Sequence, residues 1–261
     1  MSKEAGRYFP VSYFRRLVTD LLQFAASVPG ATLERRMDLS RLVEARHSRS
    51  PSPTWSAIFI KAYSLVAART PILRTSYMKF PWPRFYEHPV NIATLNVDRQ
   101  VNDEHVILQV HIPSPETHTL DALDALINDY QQQPVEKIAA YRTAVRMSHV
   151  PWPLRQWLWW GALNVFGATR CHHFGTFCIT SVGAQGSGIL HVPTLLTSTL
   201  HYGMFGSNGE LAMRLTFDHR VLDGAKAAQV LADLEEILLG EIVREVALPI
   251  GNDGRRSSTA C

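Results

Sequence analysis

Cysteine is scarce: the 261 residues hold three, Cys171, Cys178 and Cys261. An odd, sparse set without ligand spacing argues against a disulfide scaffold and a zinc centre, and fits a reducing cytoplasm. Surplus charge is scarce too. A net charge of +3 gives no reason to expect a nucleic-acid partner. The denser Lys and Arg of the N-terminal stretch are broken by Glu34, Asp38 and Glu44, as on a solvated surface. No apolar run approaches the ~20 residues that span a bilayer. Met1 to Pro10 lack the apolar core of a signal peptide. A Gly-x-Ser-x-Gly elbow for a hydrolytic serine is missing. His172-His173 and the pair His105 and His111 have no carboxylate or cysteine at ligand spacing, so no metal is expected. The loop Gly183-Ala184-Gln185-Gly186-Ser187-Gly188 follows a strand but leads to no evident helix, and reads as a turn rather than a phosphate cradle.

What is present is ample apolar material, 46% of the chain. That suffices for one core, and residues 1–250 read as a single domain. Residues 251–261 form a polar tail expected to be disordered. Apolar spacing predicts helices over Tyr13–Ala26, Trp55–Arg69 and from Leu120 onward, the last kinked at Pro134 and continuing toward Val145. Strands are expected at Ala31–Leu39, Val90–Val97, His105–Ile112, Thr176–Val182 and Leu211–Phe217, with Leu195–Tyr202 a segment of unassigned type before the last of them and a helix over Gly224–Leu239. Helices and strands alternate irregularly, which favours an α+β mixed sheet over a regular βαβ array.

The most informative stretch is Phe217-Asp218-His219-Arg220-Val221-Leu222-Asp223-Gly224-Ala225. Alternation puts Leu211, Met213, Leu215 and Phe217 on one strand face and delivers His219 just past the strand end. Asp223 can cap the helix that follows, and Gly224 permits a tight entry. A histidine, a carboxylate and a helix N-terminus thus converge, which suits proton transfer. The bare spacing by itself is more often that of an ordinary helix entry.

The longer string closely resembles the catalytic motif of the 2-oxoacid dehydrogenase acyltransferases, within the chloramphenicol acetyltransferase-like superfamily. Gly175-Thr176-Phe177-Cys178-Ile179-Thr180-Ser181-Val182-Gly183 is similar to a second motif of that family. Weaker matches at Val28-Pro29, Met37-Asp38-Leu39, Phe59-Ile60-Lys61-Ala62 and Val90-Asn91-Ile92-Ala93 fall in the family's order. The resemblance implies an α+β, chloramphenicol acetyltransferase-like mixed-sheet sandwich flanked by helices. It also implies a homotrimer with sites between subunits.

His219 would be the general base, deprotonating a thiol, hydroxyl or amine as it attacks a thioester. Thr180, with Ser181 beside it, would stabilise the oxyanion. Asp223 would hold the loop, with Arg15 or Arg16 as its partner, while Arg220 would be structural. No tightly bound cofactor is implied, coenzyme A thioester being a cosubstrate. Lipoyl and subunit-binding domains find no room in the chain. A stand-alone acyl-CoA-dependent enzyme is therefore expected, with transfer from a carrier protein or a non-catalytic trimeric scaffold as alternatives. The tryptophan-rich segment 151–166, carrying Trp152, Trp157, Trp159 and Trp160, reads as core or subunit interface, or as a helix lying on a membrane surface.

Overall fold

A computed structural model describes residues 6–101, 104–181 and 193–248. The glycine-rich loop, the C-terminal tail and Cys261 lie outside the described residues. Helix α1 (Tyr13–Ala25) starts at Ser12, whose hydroxyl accepts from Arg15 N at 3.2 Å. Strand β1 (Gly30–Asp38) and a short helix α2 (Ser40–His47) follow. Helix α3 (Trp55–Arg69) has the expected bounds and a threonine cap, Thr54. It is buried around most of its circumference rather than along one stripe. A two-stranded hairpin, β2 (Thr75–Met78) with β3 (Arg84–Glu87), comes next and was not foreseen.

The pair β4 (Ile92–Val101) and β5 (Glu104–Pro113) runs antiparallel from Ile92 opposite Pro113 to Val101 opposite Glu104. Helix α4 (Leu120–Gln132) buries Leu120, Leu123 and Ile127. It does not continue through a kink. Gln133 is extended ahead of Pro134, whose ring disfavours helical backbone in the preceding residue. The chain resumes as α5 (Ala139–Ser148), α6 (Trp152–Asn164) and α7 (Gly167–Phe174). Strands β6 (Phe177–Thr180), β7 (Ser198–Phe205) and β8 (Glu210–Asp218) lead to α8 (Gly224–Ile237), a π-turn at Leu238–Ile242, and α9 (Val243–Ala247).

Six strands form one mixed sheet in the order β1-β8-β7-β6-β4-β5, parallel only across β4–β6 and β6–β7. The α+β expectation holds. One face carries Met37, Leu95, Leu108, Ile179, Leu200 and Leu215 into the main core, shared with α3, α4 and α8. The other face is rich in polar groups, including Thr32, Thr94, Thr180, Thr199, His201 and Thr216. It is partly covered by a smaller cluster of Leu163, Phe174, Cys178 and Leu196, with Leu21, Phe24 and Trp159 against it. Gly175 ends α7 at φ +84°, and a Cβ there would come within 2.1 Å of Thr94 Oγ1. That close turn launches β6 beside β4.

Candidate active site

Strand β8 lies between β1 and β7, so its end is held on both sides. His219, the next residue, donates its backbone N–H to Pro29 O at 2.9 Å. Val221 N and Leu222 N both donate to Asp218 O, which curls the chain back into α8. The Asp218 side chain is fully buried and accepts from Arg220 N at 3.0 Å, Nε at 2.9 Å and Nη2 at 2.7 Å. The Arg220 guanidinium also lies 4.4 Å from the Tyr77 ring centre. Arg170, buried as well, donates to Tyr77 O at 2.8 Å and feels the Asp218 charge. Burial pushes the Arg170 guanidinium pKa down, and Asp218 opposes that shift. Arg220 is thus a structural member of the motif. Asp218, Arg170 and Tyr77 are the residues that sequence reasoning missed; the aspartate two positions before an arginine was the available signal.

On this frame the His219 side chain is half exposed, and its Nδ1 faces Asp223 Oδ1 at 3.8 Å. That is ion-pair range, not a hydrogen bond. Asp223 occupies the N-cap position of α8, yet its side chain makes no cap hydrogen bond and is 88% exposed. It is therefore free to turn toward the histidine. Arg15 and Arg16 do not serve as its partner within the chain. Arg16 Nε donates to Val11 O, and its guanidinium sits near the Tyr13 ring. The reason is position along α1: only its C-terminal exit approaches His219, and Arg16 lies roughly 14 Å back along the helix.

Thr180 ends β6, and Ser181 follows it. Tyr202 is hydrogen-bonded to both Ser56, at 3.2 Å, and Ser181, while burial pushes its phenol pKa up. Neighbouring Cys178 is buried, which pushes its thiol up to about 12 and disfavours the thiolate. The decisive geometry is the register. Thr180 pairs with His201, and His201 with Arg214, five residues before His219 on β8. At ~3.3 Å per residue and two strand spacings, Thr180 and His219 lie roughly 20 Å apart, His219 just past the end of β8 and Thr180 level with its middle. His219 and Asp223 meet; Thr180 and Ser181 do not join them within one chain.

Among the described residues no three or more His, Cys, Asp or Glu side chains could share a metal, and no helix is long and apolar enough to cross a membrane.

No protein-family model and no curated protein matches the chain. Solved structures do. The chain is similar to the cubic core of the pyruvate dehydrogenase multienzyme complex, at 18% identity and TM-score 0.67, over 94% of this chain and 96% of that one. It is similar to the dihydrolipoamide acetyltransferase of Azotobacter vinelandii, at 18% identity and TM-score 0.65, again over 94% and 96%. The catalytic mechanism of that enzyme has been probed at a serine, a histidine and an asparagine four residues beyond the histidine. A chloramphenicol acetyltransferase is similar at 12% identity and TM-score 0.50, over 84% of this chain and 94% of that one. At such identities the likeness establishes the fold, a mixed-sheet sandwich of the chloramphenicol acetyltransferase kind.

Proposed function

We propose that the chain is an acyltransferase that moves an acyl group from a coenzyme A thioester to a thiol, hydroxyl or amine, working as a trimer. One observation carries this reading. His219 and Asp223, four residues apart on a rigid strand-to-helix turn, repeat the histidine-to-asparagine spacing of a dihydrolipoamide acetyltransferase of the same fold.

With Nδ1 turned to Asp223, Nε2 is the nitrogen that takes the acceptor proton. The freed lone pair attacks the thioester carbon, and the carbonyl electrons move onto oxygen. Thr180 Oγ1 or Ser181 Oγ of a neighbouring copy donates to that oxyanion, a contribution worth about 10²–10³ in rate. Collapse breaks the carbon–sulfur bond, and the departing thiolate takes the acceptor's proton from the imidazolium. A second copy is needed because the two halves lie roughly 20 Å apart on one sheet. Nothing in this chemistry calls for a metal or a tightly bound cofactor.

Free thiol release from a panel of acyl-CoAs, with simple thiols, alcohols and amines as acceptors, tests the proposal beside His219→Ala. Acceptor-dependent release that falls at least ~10²-fold in the variant is expected. Equal inactivity of both proteins across the panel, and across acyl carrier protein donors, would favour a scaffold.

A further inference from the structure

Helix α6 is inverted relative to an ordinary surface helix. Its single charged residue, Arg155, is turned inward and buried, paired with the equally buried Asp20 of α1. Gln156 adds a 2.7 Å hydrogen bond to the same carboxylate. The outward face instead carries Trp152, Leu154, Trp157 and Leu158, with Trp157 71% exposed. The β2–β3 hairpin extends this surface. Phe80 N donates to Asn164 O at 3.0 Å and its ring contacts Trp160, while Trp82 is 65% exposed. On the other side, Tyr13 of α1 stacks on His149, and a cleft of about 620 Å³ opens between α1, the end of α5 and Trp152.

An apolar face of this extent needs a cover, and its charge indicates which. The sequence holds no acidic residue between Glu44 and Glu87, nor between Glu136 and Glu210. Those intervals supply the hairpin, α5, α6 and α7. Exposed cations border the aromatic surface: Lys79 and Arg84 on the hairpin, Arg84 lying over the Trp82 ring, and Arg16 of α1, which lines the cleft with Trp152. The nearby carboxylates are engaged, Glu87 by Arg74 at 2.7 Å and Glu104 by the Ser12 hydroxyl at 2.7 Å. Tryptophan, with its apolar ring and single N–H donor, is the residue favoured at headgroup depth. Thirteen residues make α6 about 20 Å long, too short to span but suited to lie in the interface.

We infer that the α6–hairpin face docks on an anionic lipid surface, with the tryptophans at headgroup depth and the flanking cations against lipid phosphates. The inference does not depend on the acyl-transfer reading, and its test involves no catalysis. Wild-type protein is sedimented with phosphatidylcholine vesicles with and without phosphatidylglycerol, beside Trp82→Ala/Trp157→Ala and Lys79→Glu/Arg84→Glu. Binding to the anionic vesicles is expected, with a fall of at least about tenfold for each pair. All four side chains are exposed, so thermal melts should be unchanged. Equal partition of the wild type onto neutral vesicles, or undiminished binding by both variants, overturns the inference. So does a smaller assembly for the tryptophan pair in velocity sedimentation without lipid, because the face would then join copies of the chain.

Discussion

Replacing Asp218 with asparagine removes one negative charge from a carboxylate with no exposed surface, and the structure sets the cost. Three hydrogen bonds from Arg220 end on this carboxylate, and Arg170 sits buried nearby. Without the charge, two guanidiniums face each other with no counterion. Breaking a fully buried pair costs about 3–5 kcal/mol. The Arg220 side chain is 28% exposed and can recover part of its hydration, which lowers the expectation to about 2–3 kcal/mol. For a chain of this size that corresponds to a melting point lower by roughly 5–10 °C. The assay is thermal unfolding by circular dichroism, with Asp223→Asn as the comparison. Asp223 makes no cap bond and is mostly in solvent, so its variant should stay within about 0.5 kcal/mol of wild type. A melting point for Asp218→Asn equal to that of Asp223→Asn would refute the view that the Asp218–Arg220 pair supports the His219 turn.

Two further outcomes test the fold. Burial, then the neighbouring His172 and His173, push the His111 pKa down to about 4. An unfolded imidazole titrates near ~6.5. Between those values the unfolded chain binds the extra proton, so stability is full above the upper one and is lost as pH falls, by up to about 3 kcal/mol near pH 4. His111→Leu should flatten that part of the denaturant-midpoint profile; an unchanged slope would contradict the assignment. Leu215 is fully buried on β8, and Leu215→Ala should cost about 2–5 kcal/mol in urea unfolding. A loss below 1 kcal/mol would deny the core a central place on β8.

Much of this architecture was legible because local signals agreed. Helix α3 starts at a threonine cap and stops before a proline, and α8 follows the Asp223-Gly224 entry. The alternation of Leu211 to Phe217 correctly placed four side chains in the core. Asp218 escaped notice because alternation turns it to the opposite face, where a polar residue is expected in solvent; tertiary cover from Arg170, Arg220 and β2 buries it. The hairpin β2–β3 is too short and proline-broken to carry a period. The tryptophans of α6 read first as core or interface and second as a membrane surface, since a helix apolar all round has no preferred side; one ion pair, Arg155 with Asp20, decides which side faces inward. His219 and Thr180 were joined by motif, but only strand order and register set them roughly 20 Å apart on the sheet.

The central claim is that His219 of one copy works with Thr180 and Ser181 of another, and subunit mixing tests it most directly. His219→Ala chains and Thr180→Val/Ser181→Ala chains, differently tagged, would be assayed alone and after co-expression and tandem purification. Each alone should be nearly inactive. A mixed trimer of either composition pairs an intact His219 with an intact Thr180–Ser181 at one of its three sites, so about a third of wild-type acyl transfer should return. No recovery in verified mixed trimers, with each parent folded, would contradict a site shared between copies.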